Sequence, residues 1–293
     1  MVGQHGWRQY RWVIFFLAPG LIGLLLFTLG PILASLGLTM FQWDLITPPV
    51  FVGLNNFREL FANSDFWVAL QHTLYFVVGY VPLVMLLALV VALMLNQRVR
   101  GLALYRTIFF IPVVSSWVVI SLLGKWIFNP RFGLVNFGLH LLGIQGPAWL
   151  FSAQWAMPAI ILTSVWKDVG FVMVMFLAGL QTIPAEYREA SQLDGANRYH
   201  HFRFITLPLL SPTTFFALII SMVASFQVFD QFWIMSEAGN KDATTVIVQQ
   251  IVQNAFSYGR MGTAAALSWV LFAFIFLMTL VQLRLQRVWV NYA

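Results

Sequence analysis

Six runs of this 293-residue chain are each long and apolar enough to cross the hydrocarbon core of a bilayer, which takes about 20 residues in a helix. They lie near Trp12–Leu38, Leu70–Leu95, Ile108–Phe128, Ala156–Leu180, Leu209–Met235 and Thr263–Leu283. A backbone surrounded by lipid must satisfy its hydrogen bonds internally, so such runs fold as helices. With 60% hydrophobic residues, 28 of them Phe, and only 9% charged, a water-soluble domain of this length could not hide its apolar surface. The expectation is an all-α integral membrane protein, with six transmembrane helices in a single membrane domain over residues 1–293. Pro19-Gly20, Gly30-Pro31, Tyr80-Val81-Pro82 and Ile111-Pro112 predict bends in these helices. Arg8 and Arg11 precede the first run as in a signal peptide, but the run is too long for one and no small-x-small site closes it. It reads as a retained first span.

The basic residues between the runs are unevenly placed. The N-terminus, the 96–107 loop, the 181–208 loop and the C-terminus carry Arg8, Arg11, Arg98, Arg100, Arg106, Arg188, Arg198, Arg203, Arg284 and Arg287. The other side carries Arg58, Lys125, Arg131, Lys241 and Arg260. Cytoplasmic loops are enriched in Lys and Arg, so ten against five puts both termini and the 181–208 loop in the cytoplasm. An even number of crossings agrees. The net charge of +6 therefore reads as membrane orientation and not as a nucleic-acid surface. The chain has no cysteine, which excludes disulfides, cysteine metal sites and a thiol nucleophile.

The most polar stretch, Glu186–Pro208, lies between two of the runs. Glu186, Glu189, Ala190 and Leu193 recur at i, i+3, i+4 and i+7, one face of a short helix. Pro184 is tolerated at a helix start, and Gly195 can take a positive φ and end it, reversing the chain into a second short segment. Ala190 and Ser191 are small enough for another protein to approach closely, and the carboxylates of Glu186 and Glu189 offer acceptors to basic groups. On charge and periodicity alone, a solvated amphipathic connector reads as well as a docking element.

The spacing within the stretch adds to this. Glu189-Ala190-Ser191 is followed by Asp194-Gly195-Ala196 and then by Ile205-Thr206-Leu207-Pro208. This resembles the EAA loop of the permease subunits of binding-protein-dependent ABC importers, where E-A-A, G and I-x-L-P stand at these spacings; Ser191 takes the place of the second Ala. The run from Gly179-Leu180-Gln181 through Pro184 to Pro208 is similar to the maltose-type, carbohydrate-importing branch. Trp43 with Val52-Gly53-Leu54-Asn55-Asn56-Phe57, and Asn129-Pro130 through Gly133-Leu134-Val135-Asn136, resemble outer segments of the same branch. Ser236–Asn240 departs from the T-x-G-G-P common there. The likeness runs from about residue 12 to 285.

The resemblance implies the type I ABC importer permease fold and a non-catalytic subunit. It implies that Glu186, Glu189, Ala190, Ser191, Leu193, Asp194, Gly195, Ala196, Ile205, Leu207 and Pro208 dock an ATPase. Its implied partners are a second homologous permease, two ABC ATPase subunits and an extracytoplasmic solute-binding protein. ATP and Mg would sit on the ATPases, with no cofactor on this chain, in the inner membrane of a bacterium or archaeon.

Charges within spans are costly and usually face a cavity or a partner. Lys167 and Asp168 lie in the fourth run and Asp230 in the fifth. Adjacent on one helix, Lys167 and Asp168 point in different directions. Lys167 and Asp230 differ in depth by about 12 Å at roughly 1.5 Å per residue, so a direct pair needs tilt or side-chain reach. Trp166, Lys167, Gln227, Asp230 and Trp233 read as a sugar path: aromatic faces stack on a pyranose while amide and carboxylate groups bond its hydroxyls. Sugar permeases resembling this chain show a W-K pair in the fourth span and an F-D pair in the fifth, as do Trp166-Lys167 and Phe229-Asp230. The competing reading is that these groups only fix helix packing. Phe51, Phe66, Trp67, Trp149 and Trp155 read as interfacial anchors, and Gly262 with Ala264–Ala266 as a close-packed helix face.

The sequence contains no G-x-x-x-x-G-K-[ST], no metal-ligand spacing and no nucleophile elbow. The reading is a permease subunit importing a sugar or sugar-like solute. Its rivals are a permease for a glycerol phosphate or compatible-solute glucoside, a gradient-driven secondary transporter or channel relaying protons or ions through Lys167, Asp168 and Asp230, and a membrane enzyme, for which no catalytic cluster is present.

Overall fold

The computed structural model describes residues 7–97, 101–236 and 243–290. Arg98, Arg100 and Lys241 of the charge count, and all but Ser236 of the Ser236–Asn240 turn, lie outside the described residues. Among the described residues, five helices are long and apolar enough to cross a membrane, Arg11–Leu38, Ser64–Leu95, Ala156–Gln181, Arg198–Phe226 and Met261–Arg287, and one bent pair of helices would make a sixth span. The chain falls into two compact units, one of the residues up to Asn63 with Ile251–Val270, the other of Ser64–Gln250 with the residues from Leu271 onward.

In the first unit, α1 (Trp7–Leu24) and α2 (Gly30–Leu38) form one helix joined by a widened turn at Leu25–Leu29. Its cause is Pro31, which has no amide and whose ring displaces the carbonyl four residues back. The Gly30 amide bonds instead to the Leu25 carbonyl, five residues earlier. The helix continues through the predicted bend. From Arg11 to Leu38 none of its side chains is buried and most are exposed, as are Phe16, Phe27 and Leu33, which suits only apolar surroundings. A hairpin follows, β1 (Phe41–Gln42) pairing with β2 (Val50–Phe51). Leu45 has φ +69 in its turn, where Asp44 accepts bonds from the amides of Ile46 and Thr47. Those bonds, Thr47's first, hold the Asp44 carboxyl below the usual range.

Helix α3 (Asn55–Ala62) is tied back through the buried Asn56, whose amide donates to the carbonyls of Thr39 (2.8 Å) and Phe41 (3.0 Å). A Cβ at Gly262 would lie 1.9 Å from the Phe41 carbonyl oxygen, so close packing explains that small residue.

The second unit is built on α4 (Ser64–Leu95) packed along α8 (Ala156–Gln181). Gly79 receives the Ile161 side chain, and Phe76 stacks on Tyr80 and meets the edge of Phe232. α4 runs through Pro82 without a break. The predicted span Ile108–Phe128 is divided close to its predicted bend at Ile111-Pro112: α5 (Leu102–Val114) and α6 (Trp117–Ile127) are separate helices bent by 99°. Pro112 weakens the last turn of α5, and Ser115 and Ser116 are extended, with the Ser116 hydroxyl capping α6 at the Val118 amide.

The predicted span Leu209–Met235 is likewise two pieces. α11 (Leu207–Phe226) stops before Gln227, and α12 (Asp230–Ser236) restarts with a carboxylate in its first turn, where the helix dipole favours it.

Two predicted anchors prove to be core. Phe66 is buried, and so is Trp149, whose indole donates to Asn136 while the Asn136 amide closes the segment onto Pro130 and Pro147. Short helices α7 (Leu134–Leu141) and α13 (Ile247–Val252) lie between the longer ones, and α14 (Met261–Trp289) ends the described chain.

Candidate docking loop and membrane cavity

The polar stretch forms α9 (Ala185–Leu193), with Pro184 at its N-cap position. Its end is a Schellman motif: the Gly195 amide bonds to the Gln192 carbonyl (3.1 Å) and the Ala196 amide to that of Ser191 (2.9 Å). That closure needs a left-handed residue, and Gly195 supplies it at φ +76. Asn197 then caps α10 (Arg198–His201) by accepting from the His200 amide.

The stretch expected as a loop through Pro208 is helical from Arg198, continuing into α11 through a second widened turn at Phe202–Thr206. Pro208 is the reason, as Pro31 is for the first. Ile205, Leu207 and Pro208 are half-buried in this helix, as is Ala196 just before it.

Glu186, Glu189, Ala190, Leu193 and Asp194 are all exposed, and Leu193 is 90% exposed at the tip of α9. Ser191 alone of the α9 residues is buried. Its hydroxyl donates to the Arg188 carbonyl (2.8 Å), so it accepts from Nδ1 of His201 (3.0 Å). The serine thus ties the two arms of the hairpin across a cleft of about 1020 Å³ that is also lined by Leu93 at the end of α4 and by Asn96 and Gln97 just beyond it. Ser191→Ala removes about 1 kcal/mol of this bonding. Amide exchange over 185–201 is expected to quicken roughly fivefold, and unchanged exchange would show that the bond holds nothing.

Within the membrane-spanning part, a cavity of about 230 Å³ opens where α11 stops. Gln227 and Asp230 line it, together with Tyr80, Trp117, Asp168 and Phe171. The Tyr80 hydroxyl donates to Oδ2 of Asp168 (2.7 Å). Ligand pockets commonly hold about 300–1,000 Å³, and this cavity is smaller.

Lys167, Trp166 and Trp233 of the proposed path are not among its walls. Lys167 is buried and turned towards α5, where Nζ donates to the carbonyls of Val113 (3.0 Å) and Pro112 (3.4 Å) and lies 4.8 Å from the Trp117 ring centre. These carbonyls end α5, at the negative pole of its dipole, so the ammonium satisfies the helix break. Among the described residues the Lys167 ammonium bonds to these carbonyls and forms no ion pair with Asp230. Trp166 is exposed, and Trp233 packs on Phe229 with ring centres 5.4 Å apart.

Residues 84–289 match the family of binding-protein-dependent transport system inner membrane components. The chain belongs to that family. This permease is 38% identical to the probable ABC transporter permease protein YesP of Bacillus subtilis, over 94% of this chain and 91% of the other. It is 31% identical to the trehalose/maltose transport system permease protein MalF of Thermococcus litoralis, over 96% and 95% of the two chains. Its fold matches a chain of a bacterial ABC transporter involved in the import of the acidic polysaccharide alginate, with a TM-score of 0.83 at 25% identity, covering 95% of this chain and 96% of that one. The permease is a multi-pass membrane protein with an ABC importer permease fold.

Sequence inspection missed Tyr80 and Trp117 as cavity walls of the permease. Tyr80 lies 88 positions from its partner Asp168, and neither local spacing nor charge announces it. A signal for Asp168 was present, since it is a charge within a span.

Proposed function

We propose that this chain is the permease subunit of an ATP-driven importer, moving a sugar or sugar-like solute delivered by an extracytoplasmic binding protein across a bacterial or archaeal inner membrane. Both termini and α9 face the cytoplasm in this reading. The observation that carries it is α9 itself. It presents Glu186, Glu189 and Leu193 to solvent on a hairpin fixed by the Schellman closure at Gly195. An exposed apolar tip flanked by carboxylates suits a partner that offers a pocket rimmed with basic groups.

The partners are a second homologous permease and two ABC ATPases that carry ATP and Mg, none being bound by this chain. Closure of the ATPases moves α9, the spans turn the cavity outward, solute enters from the binding protein, and hydrolysis returns the spans inward. Gln227 and Asp230 meet the solute's hydroxyls in the cavity. The names of the relatives, trehalose/maltose transport among them, support a carbohydrate cargo.

The test is purification through a tag on this chain, with ATPase assay, comparing wild type with Glu189→Lys and Gly195→Pro. Wild type is expected to bring an ATPase and a second permease, and both variants to lose the ATPase while remaining folded. A wild-type chain that purifies alone and stable would favour a gradient-driven transporter instead.

A further inference from the structure

Among the described residues, the walls of the membrane cavity carry two carboxylates, Asp168 and Asp230, and no Lys, Arg or His. Lys167, the cation next to Asp168 in sequence, acts on that carboxylate only through space, its Nζ being bonded to the α5 carbonyls and set over the Trp117 ring. Oδ2 of Asp168 is held by Tyr80, while its other oxygen and the whole Asp230 carboxylate make no hydrogen bond among the described residues. Gln227 and Ser221 add neutral polar groups, and Trp117 and Phe171 add aromatic faces. A cleft lined by one sign of charge, with apolar walls, focuses its field and raises the local concentration of the opposite charge about 10- to 1,000-fold.

Building on the sugar reading above, we infer that the solute is a saccharide without an acidic group, neutral or amino-substituted, and that Asp168 and Asp230 exclude acidic ones. Free carboxylate oxygens accept from sugar hydroxyls or ammonium groups. They have nothing to offer a uronate, sulfonate or phosphate, which would bring a like charge into a region of low dielectric. Acidic cargo such as the alginate of the similar importer would meet two carboxylates here.

The cysteine-free sequence makes the test direct. Ala224 is exposed and lines the cavity, so Ala224→Cys gives the chain a single thiol there. In the assembled transporter this thiol is labelled with trimethylammonium-ethyl or sulfonatoethyl methanethiosulfonate, read as mass gained by this chain and normalised to a free thiol. The cation is expected to win by about tenfold or more, and Asp168→Asn with Asp230→Asn to cut that preference below about threefold. Asp230→Asn alone should cut it partway, which serves if the double variant does not assemble.

No preference in wild type, or a preference unmoved by the substitutions, overturns the inference while leaving the sugar reading intact. A second arm asks which trisaccharides at millimolar concentration slow the labelling. Protection by neutral or amino forms and not by uronates is the expected result. Protection by uronates alone overturns this inference only, and protection by none overturns the sugar reading together with it.

Discussion

Gly170→Ala is expected to push α8 off α5 and to lower the yield and thermal midpoint of the extracted protein sharply. A Cβ at Gly170 would lie 2.0 Å from the Phe109 carbonyl oxygen and 2.8 Å from its carbon. Both are backbone atoms and cannot swing aside. Overpacking of this kind costs about 1–3 kcal/mol, and backbone on the receiving side puts it at the upper end or beyond. Gly170 sits one turn from Lys167 on the same face of α8. That face therefore meets successive carbonyls of α5 in two ways, pressing close at Phe109 and donating at Pro112 and Val113. Loss of the close approach should also strain the Lys167 bonds that satisfy the helix break. Gly138→Ala is the comparison, since nothing lies within 4 Å of a Cβ there and it should be neutral. Equal midpoints for the two variants would refute the packing argument.

Leu193→Asp should abolish coupling without touching the fold. At 90% exposure the side chain contributes almost nothing to the stability of the isolated chain. Buried in a partner's pocket, a leucine gives about 1.5–3 kcal/mol, or roughly tenfold to more than a hundredfold in affinity. Asp adds the cost of desolvating a charge. ATP hydrolysis by the assembled transporter is expected to fall at least tenfold, with the thermal midpoint of the permease unchanged. Normal hydrolysis with the ATPase still co-purifying would remove α9 from the docking surface and leave it as a solvated connector.

The sequence was most informative where local chemistry decides the structure. Pro184 and Gly195 bracket α9 because a proline suits a helix start and a glycine suits a left-handed stop. The second, fourth and sixth spans follow from unbroken apolar length, each helix extending somewhat beyond the predicted run. Pro112 signals a bend near Ser115–Ser116, but its sharpness is not legible, because hydropathy is high on both sides and the group that satisfies the break, Lys167, comes from another span.

The cavity shows the same division. Gln227 and Asp230 are close in sequence and were grouped from it, whereas Tyr80 and Trp117 reach the cavity only through packing. Trp166, Lys167 and Asp168 illustrate why neighbours on a helix make poor guides to one site: one is exposed, one faces α5 and one faces the cavity.

The run from Arg198 to Phe226 is one helix of 29 residues with the Schellman turn just before it and the cavity just after. At 1.5 Å per residue it is a strut about 43 Å long. A strut transmits thrust where a slack tether would absorb it. Tilting it by about 10° about one end carries the other through roughly 7 Å, more than one helical turn. Displacement applied at Asn197 would therefore reach Gln227 as leverage, with the widened turn at Phe202–Thr206 the place along its length where the shaft can yield.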